Sequence, residues 1–261
     1  MAALSYMTEV LSMKSILACC LIVVLLTGCK AQLQTLLEQS AKPTNAEMIG
    51  GLKEALKAGA IGAAEELGKA GGFSASDIYK IVLPKEAQPI TKNIALIPGG
   101  QKLLNEAIAR INRAAERASS KAAPIFTEAI VEMSIADAAG ILKSGGSAAT
   151  DYLDQKTRAK LKAAFAPDIR EALNERLIAG VSAKESWETL TNGYNKAADS
   201  FAGRAAKLSP IKTDLEDYVL DKALSAIFSE IAIKEREIRE NPLQSASNLV
   251  RKAFSYAKNG Y

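Results

Sequence analysis

The sequence predicts an all-α fold, a single irregular or orthogonal bundle of about eight or nine helices, on three observations. Hydrophobic residues make up 48% of the chain but aromatic ones only 5%, so the apolar content is mostly Ala, Leu and Ile, which favour helix over sheet. Ser or Thr followed three positions later by Asp or Glu recurs ahead of apolar residues spaced three and four apart, the signature of capped amphipathic helices. Between these stretches stand Gly-Gly and Pro signals that end one helix and open the next.

In chain order, Thr44 with Glu47 opens a helix whose Ile49, Leu52, Leu56, Ala60, Ala63 and Leu67 share a face until Gly71-Gly72. Residues 73–83 are less regular and read as mostly non-strand, closed by Pro84. A helix over 85–96 is interrupted by Pro89, and Pro98-Gly99-Gly100 marks a turn. Leu104, Ile108, Ile111, Ala115, Ala118, Ala122, Ile125 and Ala129 form one long stripe that Pro124 kinks or splits. Ser134 with Asp137 caps the next helix, which Gly145-Gly146 ends, and Pro167 divides helices over 148–165 and 168–179. Ser182 with Glu185 opens a helix running towards Gly203, and Ser209-Pro210 breaks the chain again. Thr213 with Glu216 caps a long helix with Leu215, Val219, Leu224, Ile227, Ile231 and Ile238 facing inward; Asn241-Pro242 ends it, and a last helix covers 243–258. No repeat, low-complexity stretch or long linker divides residues 44–261, which are expected to form one domain.

The N-terminus carries a different signal. Residues 16–26 are an apolar run, long enough for the core of a signal peptide and too short to span a bilayer as a helix. Leu26-Thr27-Gly28-Cys29 follows at once and resembles the bacterial lipobox. The resemblance implies cleavage after Gly28, a diacylglycerol and palmitate-type acylation of Cys29, and a tether over 29–43 to the helical domain. Residues 1–12 contain Glu9 and no Lys or Arg, so Met13, followed by Lys14, is the expected start of a basic signal-peptide end. Sorted lipoproteins with Asp directly after the acylated Cys stay at the inner membrane; Lys30 in that place implies the periplasmic face of the outer membrane. Several acyl chains on one N-terminus make such attachment stable.

Composition closes several chemistries. The chain has no His, which removes the commonest general base near neutral pH and the commonest metal ligand. Cys19 and Cys20 fall in the cleaved segment, leaving Cys29 alone, so no internal disulfide, Cys-based zinc site or other cofactor is expected. The net charge of +4 is scattered along the sequence rather than gathered in a stripe, which argues against a dedicated nucleic-acid or anionic-lipid face.

Four polar groupings remain as candidates. Asn112, Arg113, Glu116 and Arg117 share one helix, with Arg113 opposite the apolar stripe and Asn112 at its edge. This face is either solvated or meets a second helix, with Glu235 and Arg239 as partners in a buried ion-pair network that fixes register. Glu185-Ser186 ahead of Trp187 resembles the Glu-Ser pair of lytic transglycosylases, whose Glu is a general acid. Glu185 fits better as the third residue of its capping box, and the Gly-Leu-Met-Gln segment of those enzymes is missing. Asp214, Glu216, Asp217 and Asp221 read either as a cation site or, more simply, as anions favoured by a helix N-terminus. Tyr152, Trp187, Tyr194 and Phe201 read as core aromatics, the alternative being the lining of a ligand pocket.

Several segments together resemble one family. Gly51-Leu52-Lys53-Glu54-Ala55-Leu56, Asn112-Arg113-Ala114-Ala115-Glu116, Ile125-Phe126 to Met133, Asp137-Ala138, Ala148-Ala149-Thr150-Asp151-Tyr152 and Ile238-Arg239-Glu240-Asn241-Pro242 are similar to the exported bacterial domain-of-unknown-function family 4197. The resemblance implies an all-helical envelope protein and supplies no activity; Gly72 stands where it implies an acidic residue. The expectation is therefore a non-catalytic envelope lipoprotein that binds a protein partner or a small apolar ligand, or plays a structural role, with no nucleic-acid partner. The competing readings are a His-free enzyme using carboxylates or a Ser-Lys pair on peptidoglycan or esters, and a helical lipid carrier.

Overall fold

The structure, a computed structural model, describes residues 42–91, 99–177, 180–205 and 207–259. Cys29, the apolar run before it and most of the tether lie outside the described residues. The helices are α1 (Asn45–Gly68), a 3-10 turn (Lys85–Ala87) continuing into α2 (Gln88–Thr91), α3 (Gly100–Ser119), α4 (Ala122–Glu132), α5 (Ile135–Ser144), α6 (Ala148–Asn174), α7 (Ala183–Asp199), α8 (Phe201–Ala205), α9 (Leu215–Glu240), a second 3-10 turn (Pro242–Gln244) and α10 (Asn248–Asn259). Among the described residues there is no strand, only an isolated antiparallel bridge between Arg176 and Ser182. The fold is the expected all-α bundle, with eight helices of ten residues or more among the described residues. The buried core runs from Met48 to Phe254, inside the compact unit Ala46–Tyr261, so that unit carries a core of its own.

Helix α6 is the centre. Leu153, Thr157, Leu161, Phe165, Ile169 and Leu173 recur every four residues on its buried face, a stripe that packs most extensively against α9 and α3 and then α4. Phe126 of α4 meets Phe228 of α9 edge to face at 5.9 Å, and the Arg158 guanidinium lies 5.1 Å from the same Phe228 ring. Gly51 lets α10 touch α1, because a Cβ there would overlap the Leu249 carbonyl and the Ala253 methyl.

Contrary to the sequence expectation, Pro167 does not divide this helix; α6 runs unbroken through it. Pro167 and Ala163, whose carbonyl loses its amide partner, are both exposed, so water can solvate the vacated oxygen. Phe165 and Ile169, fully buried on either side, hold the two halves in line. The long stripe over 104–129 is split as expected, but at Ser120-Lys121; Pro124 sits in the first turn of α4, where a missing N–H costs nothing. The Ser134 and Ser182 capping boxes both form. Asp214 rather than Thr213 caps α9, its side chain accepting from the Asp217 amide. Helix α7 ends at Asp199, short of Gly203.

Candidate functional site

Helix α3 is buried over a broad face centred on Ala107, Ile111, Ala114 and Ala118. Asn112 and Glu116, one turn apart at the margin of that face, point at the irregular segment between α1 and α2. Asn112 is fully buried; its Oδ1 accepts from the Ile81 amide at 2.8 Å, and its Nδ2 donates to the carbonyls of Ile81 at 2.8 Å and Ile108 at 2.7 Å. Glu116 Oε1 accepts from the amides of Gly71 (3.2 Å), Phe73 (3.2 Å) and Ser74 (2.9 Å) and from the Ser74 hydroxyl (2.8 Å). Two side chains thus satisfy a stretch of backbone that has no helix or strand to satisfy it. Phe73, fully buried, is the apolar plug of this segment.

This geometry accounts for Gly72. A Cβ at that position would lie 2.5 Å from the Leu67 carbonyl oxygen and 2.7 Å from that of Glu66, so the turn tolerates no side chain, and the acidic residue that the family resemblance implies has no room in this backbone.

Glu235 is the second buried carboxylate. It sits at the start of α6, where Oε1 accepts from the Ala149 amide (3.1 Å) and Oε2 from the Thr150 amide (2.8 Å) and hydroxyl (2.7 Å). Arg239 donates to Oε1 through Nε (2.9 Å) and Nη2 (2.7 Å), with its guanidinium 5.5 Å from the Phe254 ring. The anion caps unpaired amides at the positive end of the longest helix, and Arg239 balances its charge.

The single network envisaged for Asn112, Arg113, Glu116, Glu235 and Arg239 is therefore two separate ones. Asn112 and Glu116 hold residues 71–81, Glu235 and Arg239 hold the start of α6, and Arg113 is exposed. The margin of α3 that carries Asn112 and Glu116 meets the irregular segment, which has unpaired amides of its own to satisfy.

Neither network lines the broad apolar cavity. That cavity is a groove of about 360 Å³, within the size range of small-molecule sites, between the start of α3 and the first half of α7. Gly100, Leu103, Leu104 and Ala107 form one wall; Ala183, Ser186, Trp187 and Leu190 form the other. Leu83, Leu177, Val181 and Leu215 complete an almost wholly apolar lining. Trp187 Nε1 donates to the Thr213 carbonyl at 3.0 Å, so the indole has its polar atom satisfied outside the groove and turns carbon towards it. The Leu177 amide donates to the Val181 carbonyl at 2.9 Å, and Val181 and Leu190 are the exposed members of the lining.

Glu185 also borders the groove. Its carboxylate accepts from the Ser182 amide at 2.8 Å while its own amide donates to Ser182 Oγ at 3.1 Å. The Ser182 backbone hydrogen bond, with a smaller contribution from the hydroxyl, holds the Glu185 carboxyl below the ordinary carboxylate value. A general acid in glycoside cleavage needs the opposite shift. The acidic cluster at the start of α9 is accounted for by cations: Glu216 pairs with Arg170 at 2.7 Å, and Asp217 and Asp221 flank Lys162 at 2.9 and 3.6 Å. Among the described residues no three His, Cys, Asp or Glu side chains converge as metal ligands, and no helix is long and apolar enough to cross a membrane.

The four aromatics part company. Trp187 is buried in the groove wall, Tyr152 and Tyr194 pack partly buried against the core, and Phe201 is 87% exposed. The groove itself was missed, because it is space left by Gly100, Ala107 and Ala183, which in sequence read only as helix formers. No curated protein and no solved structure matches the chain. Residues 42–255, which span nearly all of the described fold, match the family model of the protein of unknown function DUF4197, and the chain belongs to that family.

Proposed function

We propose that this is a non-catalytic lipoprotein of the cell envelope, held through Cys29 at the periplasmic face of the outer membrane, whose helical domain shelters a small apolar ligand in the groove between α3 and α7. The observation that carries the reading is the groove: its lining is almost wholly apolar, and Trp187 Nε1 and the Glu185 carboxylate, both on lining residues, are already bound elsewhere. Such a site binds by removing carbon from water, at roughly 25 cal/mol for each Å² covered. The lipobox at 26–29 and Lys30 support the placement, and the absence of His supports a binding rather than a hydrolytic role.

The test is native mass spectrometry of the processed protein, with radiolabelled palmitate to follow acylation. A copurified lipid is expected, and Leu104→Trp, which fills the groove, should expel it while leaving the melting temperature within a few degrees. Absence of any apolar molecule, together with no binding of a fluorescent fatty acid, would remove the ligand reading. Turnover of peptidoglycan or of an acyl ester that Glu185→Gln abolishes would replace it with an enzyme.

A further inference from the structure

Helix α7 leaves the bundle as it proceeds. Beyond Thr191 only its Ala198 is buried, and the chain after α8 turns back along it, clamped where Asn195 Nδ2 donates to the Ile211 carbonyl (2.8 Å) and Asn195 Oδ1 accepts from the Ile211 amide (2.7 Å). Of the described residues of the intervening turn, 196–205 and 207–212, all but Ala198, Gly203 and Ile211 are exposed. Phe201, at 87% the most exposed large apolar side chain among the described residues, stands on it with the half-exposed Leu208.

Charge gathers on the same turn. Lys196, Arg204, Lys207 and Lys212 are all exposed and Asp199 is the single anion, so this stretch carries a net +3 of the +4 of the whole chain. Among the described residues none of these four cations joins an ion pair. The scatter of charge expected along the sequence has this stretch as an exception, legible in the sequence itself. Lys207 adds a second sign. It ends α8 in the left-handed region, φ 55°, the only non-glycine residue with positive φ among the described residues. The Leu208 amide donates to the Gly203 carbonyl at 2.9 Å and the Lys207 amide to that of Arg204 at 3.0 Å, the helix ending in which glycine is favoured at the place of Lys207. A cation occupies a position where it strains the backbone.

We propose that this turn is a membrane-contact surface, with Phe201 and Leu208 entering the interfacial layer of an anionic phospholipid bilayer and Lys196, Arg204, Lys207 and Lys212 lying over its phosphates. An exposed aromatic side chain on a stretch that carries four exposed cations offers both the apolar and the positively charged group that such a surface takes up. A stable protein interface needs roughly 800 Å² from each partner, more than one short turn offers. The contact does not depend on the groove being occupied.

Residues 42–261, which hold the whole core and no cysteine, suit the test. They are expected to cosediment with vesicles of three parts phosphatidylcholine to one part phosphatidylglycerol, not with pure phosphatidylcholine, and less at high salt. Phe201→Ser should weaken binding about tenfold. Lys207→Gly should weaken it about fivefold while leaving the melting temperature unchanged or higher. Phe201→Cys carrying a polarity-sensitive dye should shift to the blue on binding. Absence of binding to the anionic vesicles, or binding that neither variant changes, overturns the proposal. So does a dimer in solution that Phe201→Ser dissolves, which would assign the turn to a second copy, or equal affinity for duplex DNA. Leu104→Trp leaves vesicle binding unchanged if the two readings are independent, so failure of one is visible without failure of the other.

Discussion

Replacing Glu116 by Leu removes the acceptor of three backbone amides and one hydroxyl in a single step. A donor left buried without a partner costs about 1–3 kcal/mol. Only the Phe73 bond is fully buried; those of Gly71 and Ser74 are part-buried, so water replaces some of what is lost there. Relief of the cost of burying a carboxylate offsets part of the rest. The net expectation is a loss of about 2–4 kcal/mol, or roughly 6–12 °C in melting temperature for a domain of this size. Glu116→Gln keeps an oxygen in place without its charge and should lose about half as much, the difference between charged and neutral hydrogen bonds. Urea unfolding followed by circular dichroism measures the total, and amide exchange at Phe73 and Ser74 locates it. A Leu variant within about 1 kcal/mol of the parent would refute the role given to this carboxylate, since the residue would fall among ordinary surface changes. Combining Glu116→Gln with Arg239→Gln tests the separation of the two networks: additivity within about 0.5 kcal/mol is expected, and coupling above that would restore one shared network.

Gly72→Ala should destabilise by about 1–3 kcal/mol, because its Cβ meets rigid carbonyl oxygens at 2.5 and 2.7 Å; an unchanged urea midpoint would show that the turn rearranges freely. Pro167→Ala should stabilise, by up to about 3 kcal/mol, by restoring a helical hydrogen bond on the exposed side of α6. The Ser134 hydroxyl, then its amide, hold the Asp137 carboxyl below its ordinary value. A carboxyl lowered by folding stabilises above the unfolded pKa and ceases to as pH falls through the folded one, so stability should fall on acidification, with Ser134→Ala flattening that limb of a pH series. Tyr79 is raised, first by burial and then by its bond to Glu230. Its stabilisation is present below the ordinary tyrosine value and lost above it, and Tyr79→Phe should blunt the alkaline limb. Amides of α7 beyond Thr191 should exchange faster than those of α3 and α6, since so little of that stretch is buried.

Features fixed by neighbours in sequence were legible in it. The Ser134 and Ser182 capping boxes each need only four residues, and both form as read. The all-α class followed for the same reason, from many local signals that agree. Pro167 was misread because a local rule treats proline as a boundary, whereas Phe165 and Ile169, held by α3 and α9, decide the matter from outside the helix. Asn112 reads as the edge of the apolar face and Glu116 as part of a polar face, solvated or set against a second helix, but the partners that bury them, residues 71–81, have no periodicity that would announce a contact. Phe201 shows the converse failure, an aromatic at helical spacing that reads as core and stands in solvent because α7 has already left the bundle.

The two buried carboxylates also explain how a chain so poor in aromatic residues keeps a groove open. Glu116 ties an irregular segment to α3 and Glu235 ties α6 to α9, each through hydrogen bonds of fixed direction that side-chain packing alone does not supply. Helices α3, α6 and α9 pack on one another as a frame, and Ala107 of α3 faces the groove from it. The opposite wall, α7, is joined to the rest of the fold by Trp187 and its bond to Thr213 and, beyond Thr191, by the Asn195–Ile211 pair and the buried Ala198. A groove between a braced wall and a lightly held one can widen without unfolding the core, because local opening costs least where fewest apolar contacts are lost. Helix α7 leads directly into α8 and Phe201, so a surface that held that turn would also hold the far end of this wall.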